Sequence, residues 1–139
     1  MPRHILYAYV DGADLEDVAE FLHACFAEFV ASRDWIAGHA SIVNQRHGRE
    51  TCTQPENVPG WDLGVNLELP NPGVEPQGWF ADIEAVARFL GKLHKKCNRD
   101  FIVGIKDTQS RISDDLFVVS TDSPDIDKLR AIIGVRELE

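Results

Sequence analysis

The chain has 139 residues, 44% of them hydrophobic and 27% charged, with a formal charge of −9 at pH 7. That length suits one domain spanning residues 1–139, with enough apolar material for a real core, so disorder is not the starting expectation. The acidic balance argues against nucleic acid or an anionic membrane as partner, since both need positive charge at the contact, and it favours a basic partner through long-range attraction.

Residues 5–10, Ile-Leu-Tyr-Ala-Tyr-Val, are apolar on both alternating faces. That pattern predicts a strand in the middle of a sheet, ended by Asp11-Gly12. Asp14 stands where a helix N-cap belongs. Leu15, Val18, Leu22, Cys25 or Phe26, and Phe29 follow at helical spacing as far as Asp34, with Glu16, Asp17, Glu20 and Glu28 on the outer face. Residues 38–45 read as a second strand, and residues 46–60 as an extended loop. In residues 62–69, Leu63, Val65, Leu67 and Leu69 alternate with Asp62, Gly64, Asn66 and Glu68. This predicts a strand whose second face is wet or meets a partner.

A Pro- and Gly-rich stretch leads to Asp82, read as the cap of a helix striped by Ile83, Val86, Leu90, Leu93 and Cys97. Lys92, Lys95, Lys96 and Arg99 lie near its C-terminal end, where cations are favoured, and Asn98 suits a left-handed terminator. Strands at 101–106 and 116–120 form a hairpin whose long polar tip runs from Asp107 to Asp115. Ser123-Pro124 and Gly134 bracket a short last helix. The order β-α-β-β-α-β-β-α predicts an α+β fold. Its core is ferredoxin-like, β-α-β-β-α-β, with an added C-terminal strand and short helix, and helices on one face of a mainly antiparallel sheet.

No apolar run reaches the ~20 residues that cross a bilayer, and residues 1–10 lack the long apolar region of a signal peptide. Cys25, Cys52 and Cys97 are an odd, widely spaced set, which fits a reducing cytoplasmic compartment better than a disulfide framework. His94 and Cys97 share a helical face, but no second ligand pair accompanies them, so they read as a boundary residue and a core residue. His47 and Cys52 in the long loop are the one candidate base and thiol. The acids do not follow calcium-loop spacing, and no phosphate loop, nucleophile elbow or zinc-protease motif occurs. No catalytic residue, metal or cofactor is assigned.

Trp61 and Trp79 lie beside Glu68 and Glu75 in irregular backbone, and Asp107, Asp114 and Asp115 ring the hairpin tip. Together with Glu16, Asp17 and Glu20 these are the candidate partner-binding residues: aromatic anchors fringed by acids suit a basic protein. The chain resembles the small acidic immunity proteins that bacteria make against their own secreted toxins, many of them basic nucleases. The resemblance rests on size, acidity, the lack of a signal peptide, and the runs Asp14-Leu15-Glu16-Asp17-Val18-Ala19-Glu20 and Ser113-Asp114-Asp115-Leu116-Phe117. It contains no diagnostic motif, so no family residue is carried over. It implies an inhibitor that binds a basic toxin-like protein and occludes its active site. The alternatives are a small enzyme or ligand-binding domain using His47 and Cys52, and an oligomeric accessory subunit that forms a homodimer through its sheet.

Overall fold

The computed structural model describes residues 4–11, 15–46, 61–71 and 73–135. The elements are β1 (His4–Val10), α1 (Ala19–Ala31), β2 (Ala40–Arg46), β3 (Trp61–Glu68), α2 (Trp79–Cys97), β4 (Phe101–Asp107), β5 (Ser113–Val119) and α3 (Ile126–Val135). The strands form one five-stranded sheet in the order β2-β3-β1-β4-β5, antiparallel throughout. Among the described residues the protein is thus α+β with three helices, in the expected element order.

β1 is central, as its two-sided apolar pattern predicts. Leu6, Ala8 and Val10 point to one side, with Leu63, Val65 and Leu67 of β3 and Phe101 and Val103 of β4. They share one buried cluster with Leu22 and Phe26 of α1, Ile83, Val86, Leu90 and Leu93 of α2, and Leu129 and Ile133 of α3. Burying a side chain of this size contributes roughly 1.5–3 kcal/mol. Phe26 packs edge-on against Phe89 and Phe101, and Phe29 stacks on Phe89 with ring centroids 4.1 Å apart. The two long helices run antiparallel. Asp17, just before α1, meets Arg99, just after α2, at 3.1 Å, and Arg33, just after α1, meets Asp82 in the first turn of α2 at 2.9 Å.

Several boundaries differ from expectation, each for a physical reason. Asp14 lies outside the described residues; α1 begins only at Ala19, after a turn in which the amides of Val18 and Ala19 both bond Leu15 O. Asp82 is not a cap. α2 begins at Trp79, with Ala81 N on Gly78 O, and this puts Asp82 one turn inside the helix and fully buried. α3 is capped by Asp125, whose Oδ1 accepts the amide of Lys128 at 3.0 Å, so Ser123-Pro124 precedes the cap and Gly134 lies within the helix. Asn98 is left-handed as expected, at φ 57°.

The hairpin tip is shorter than its polarity suggests. β4 extends to Asp107, whose Oδ1 accepts the Gln109 amide at 2.9 Å in an Asx-type turn. β5 begins at Ser113, so Asp114 and Asp115 are strand residues. Acids are poor strand formers in general, but β5 is an edge strand, where charge discourages pairing with another sheet. A register shift in the β4–β5 ladder leaves Leu116 without an opposite residue on β4, and Leu116 packs against the core. Among the described residues no helix is long and apolar enough to cross a membrane.

Candidate functional site

The second face of the sheet carries the alternate residues of every strand. Across it run Ser41 and Val43 of β2, Asp62, Gly64, Asn66 and Glu68 of β3, and Ile5, Tyr7 and Tyr9 of β1. Ile102, Gly104 and Lys106 of β4 follow, then Ser113, Asp115 and Val118 of β5. None of them belongs to the core cluster that the helices cover. The wet face expected for residues 62–69 is therefore part of a sheet face five strands wide that none of the described helices covers.

The two tyrosines organise its centre. Their rings stack at 5.2 Å, and their hydroxyls diverge. Tyr7 donates a short hydrogen bond to Asp115 of β5, and Tyr9 donates to Asn66 Oδ1 of β3 at 2.8 Å. The pair thereby bridges four neighbouring strands. Tyr7 lies flat over β4 because residue 104 is glycine: a Cβ there would overlap the Tyr7 hydroxyl and Cζ and the Asp114 carbonyl oxygen. Tyr7 is only 8% exposed, whereas Tyr9 is half-buried, so Tyr9 presents the accessible ring.

Both phenols hold their protons above the usual tyrosine range. Burial pushes Tyr7 up, aided by its bond to Asp115 and by the charges of Asp115 and Asp114. Burial and the Asp62 charge push Tyr9 up to about 12, with the Asn66 hydrogen bond acting the other way. The chain has only two tyrosines, so ultraviolet titration reads this pair alone. The folded protein is expected to show almost no tyrosinate absorbance at pH 10, where the urea-unfolded chain is about half ionised. Above pH 10 the unfolded chain therefore binds fewer protons than the folded one, and stability falls as pH rises towards 12. Full ionisation of one folded tyrosine near pH 10 would refute the buried hydroxyl bonds.

A second result is expected at Gly104. Gly104→Ala should lose about 2 kcal/mol in urea unfolding, because the methyl must displace the Tyr7 ring. In a Tyr7→Ala background the same change should cost less, since one of its two obstacles is gone; equal costs in both backgrounds would mean that Tyr7 is not the obstacle.

The acids and aromatics predicted from sequence do not share one surface. Glu68 and Asp115 stand on the open face, with Asp114 beside Asp115 at the sheet edge. Glu16, Asp17 and Glu20 are exposed at the start of α1, where Asp17 pairs with Arg99. Trp79 begins α2 at its other end, about 28 Å away for 19 residues, half-buried and edge-on to Phe80. Glu75 accepts the Gly73 amide at 2.7 Å, and Asp107 serves the hairpin turn. Trp61 opens β3, but its side chain lies outside the described ones, as do His47 and Cys52 entirely.

Of the other candidates, His94 Nδ1 lies 2.9 Å from Arg99 O and 3.5 Å from Asp100, tying down the end of α2. Cys25 and Cys97 are half-buried against the core, and burial raises the Cys25 thiol above its usual range. Among the described residues no three His, Cys, Asp or Glu side chains are grouped to hold a metal ion.

Tyr7, Tyr9 and Asn66 were not among the residues singled out from sequence. Their signal was period two: positions 7 and 9 fall on one side of a strand, and so do the polar positions of 62–69. What the sequence lacked was the register that places them side by side. Comparison with protein-family models, with curated proteins and with solved structures gives no match, so a functional reading rests on the geometry of this face.

Proposed function

We propose that the protein is a binding module that holds a basic protein on the open sheet face, in the manner of an immunity-type inhibitor covering a toxin-like partner's active site. The observation that carries this reading is the stacked tyrosine pair, with Asp62, Glu68 and Asp115 around it and Lys106 as the one cation among the described side chains of that face. Aromatic rings bury large area at low entropic cost, and acids around them steer a positive surface into register. The formal charge of −9 extends that attraction beyond contact range. We also read β1–β4 with α1 and α2 as a ferredoxin-like core, supported by the order β2-β3-β1-β4, with β5 and α3 as additions. The cytoplasmic compartment remains part of this proposal.

The test is capture of host proteins on the immobilised chain. Basic proteins are expected to be retained at low salt and released as salt rises. Charge reversal of Glu68 and Asp115 to Lys should cut retention roughly tenfold or more, as expected for interfacial charges of this kind. Reversal of Glu16, Asp17 and Glu20, which lie at the start of α1 on the helix-covered side, should leave retention within about twofold. Retention that ignores the open-face variant, or that follows the helix variant instead, would sink the reading.

A further inference from the structure

Within that reading, and resting on it, we infer that the basic partner presents an extended segment that joins the five-stranded sheet as a further strand along the outer edge of β5. Among the described residues β5 has a neighbouring strand on one side only, since it ends the order β2-β3-β1-β4-β5. The backbone donors and acceptors of an edge strand that point away from its sheet are a template for another strand. Many natural edges are blunted by being very short or by being covered. β5 runs seven residues, Ser113–Val119, and Ser113, Asp114, Asp115 and Val118 are all exposed. At the opposite edge Ser41, Ile42 and Val43 of β2 are half-buried, so β5 is the more accessible of the two.

The side chains of β5 fix the chemistry of the added strand. The register shift beside Leu116 divides the edge into an acidic run, 113–115, and an apolar run, 117–119. Asp114 and Asp115 are consecutive, so their carboxylates leave on opposite faces. Asp115 stands beside Gly104 on the helix-free face and Asp114 beside Ile105 on the other. Two consecutive basic residues in an added strand would each stand across from one acid, and opposite charges paired across strands stabilise a sheet. Ile112 and Val118, to either side of the acids, are 61% and 53% exposed. β-branched residues towards the ends of the added strand would cover both. Antiparallel addition continues the pattern of every existing ladder.

The same acids oppose a second copy of the chain as the occupant. Two β5 edges paired antiparallel about Asp115 would set the Asp114 and Asp115 carboxylates of both copies side by side. Like charges directly opposite destabilise a sheet. Each copy also carries a formal charge of −9, which opposes the approach. Edge acids therefore block self-pairing while leaving the backbone template to a positive strand. The location agrees with the broader reading. Asp115 belongs both to this edge and, through its bond to Tyr7, to the face that carries the tyrosines, so a strand seated on β5 extends that face.

The experiment uses the whole chain and a synthetic peptide, acetyl-Thr-Val-Thr-Thr-Lys-Lys-Thr-Val-amide. In antiparallel register its valines face Val118 and Ile112 and its lysines face Asp115 and Asp114. Two N-methylated versions carry the same charge, each with one alternate set of amides blocked. Alternate residues of an antiparallel strand direct their amides at one neighbour, so one version should bind about tenfold more weakly and the other should match the parent. Affinities are measured by calorimetry at about 0.1 M salt. Bound peptide should slow deuterium exchange at the β5 amides that point away from β4. Asp114→Lys should weaken the peptide about fivefold. Asp114 is varied because Asp115 also holds Tyr7. Binding that ignores both N-methylated sets, with amide shifts centred on Tyr9 and Gly64, would overturn strand addition and leave the basic-partner reading standing. Protection of the β5 amides that grows with protein concentration in the absence of peptide would make a second copy the occupant and overturn the inference. Absence of peptide binding would overturn it too, and host-protein capture then decides the broader reading separately.

Discussion

Asp82→Ala is expected to lower the unfolding free energy by about 3 kcal/mol, read as a drop in the urea midpoint with an unchanged slope. Asp82 is a fully buried carboxylate among mostly apolar neighbours in α2. Its Oδ2 accepts the amides of Ile36 and Ala37, each at 2.6 Å, and its Oδ1 accepts Nε and Nη2 of Arg33. The carboxylate thereby fastens the turn between α1 and β2 to the first turn of α2. Truncation strands two backbone donors, one of them on buried Ala37, and removes the counter-charge of Arg33. The Arg33 side chain is 28% exposed and can turn to water, which keeps the cost nearer 3 than 5 kcal/mol. For the same reason Arg33→Ala should cost only about 1 kcal/mol. A smaller loss for Asp82→Ala than for Arg33→Ala would show that the ion pair, not the amide bonds, carries the clamp.

Asp82 also shows where sequence reasoning stops. An acid just before an apolar helical stripe is a good cap candidate, and that rule placed the start of α2 four residues late. The competing fact was tertiary: a turn 45 residues upstream, ending at Ala37, needed acceptors for its amides. Local patterning carries no trace of such a demand. The strands fared better because period two is a local property. Leu63, Val65, Leu67 and Leu69 alternate in the sequence and are all buried in the structure. β1 was legible as central, yet its tyrosines counted simply as apolar, which hid the open face. A tyrosine ring can be covered by a neighbouring ring while its hydroxyl bonds across strands, so an apolar position need not imply a second packed layer. Asp114 and Asp115 illustrate the converse. Their polarity suggested a loop, and their edge position made a strand tolerable. The candidate acids were identified one by one, but only the β3–β1–β4–β5 register shows that Glu68 and Asp115 share a face with the tyrosines while Glu16, Asp17 and Glu20 do not.

The register depends on Gly64, and Gly64→Ala is expected to be as damaging as loss of Asp82, costing about 3 kcal/mol or preventing folding. Gly64 is buried in β3 opposite Tyr9 of β1 and Val43 of β2. A Cβ on it would overlap the Ala8 carbonyl oxygen and come within 2.8 Å of Ala8 C and 2.9 Å of Tyr9 Cα. Every one of these atoms is backbone, so no rotamer change relieves the overlap; β1 and β3 must separate at the middle of the sheet. That separation would carry Tyr9 away from Asn66 and disturb the stack on Tyr7. Gly104 differs because part of its obstruction is the Tyr7 side chain. The two glycines therefore make a paired test. Truncating Tyr7 should ease Gly104→Ala, whereas neither Tyr9→Ala nor Tyr7→Ala should ease Gly64→Ala. If Gly64→Ala folds, its tyrosine titration should move down towards 10, because a displaced Tyr9 loses part of the burial that holds its proton. An unfolding free energy within about 0.5 kcal/mol of the parent, the range of a surface substitution, would mean that β1 and β3 do not approach as closely as described. A glycine that sets how near two central strands come also sets where the Tyr9 ring stands on the sheet face.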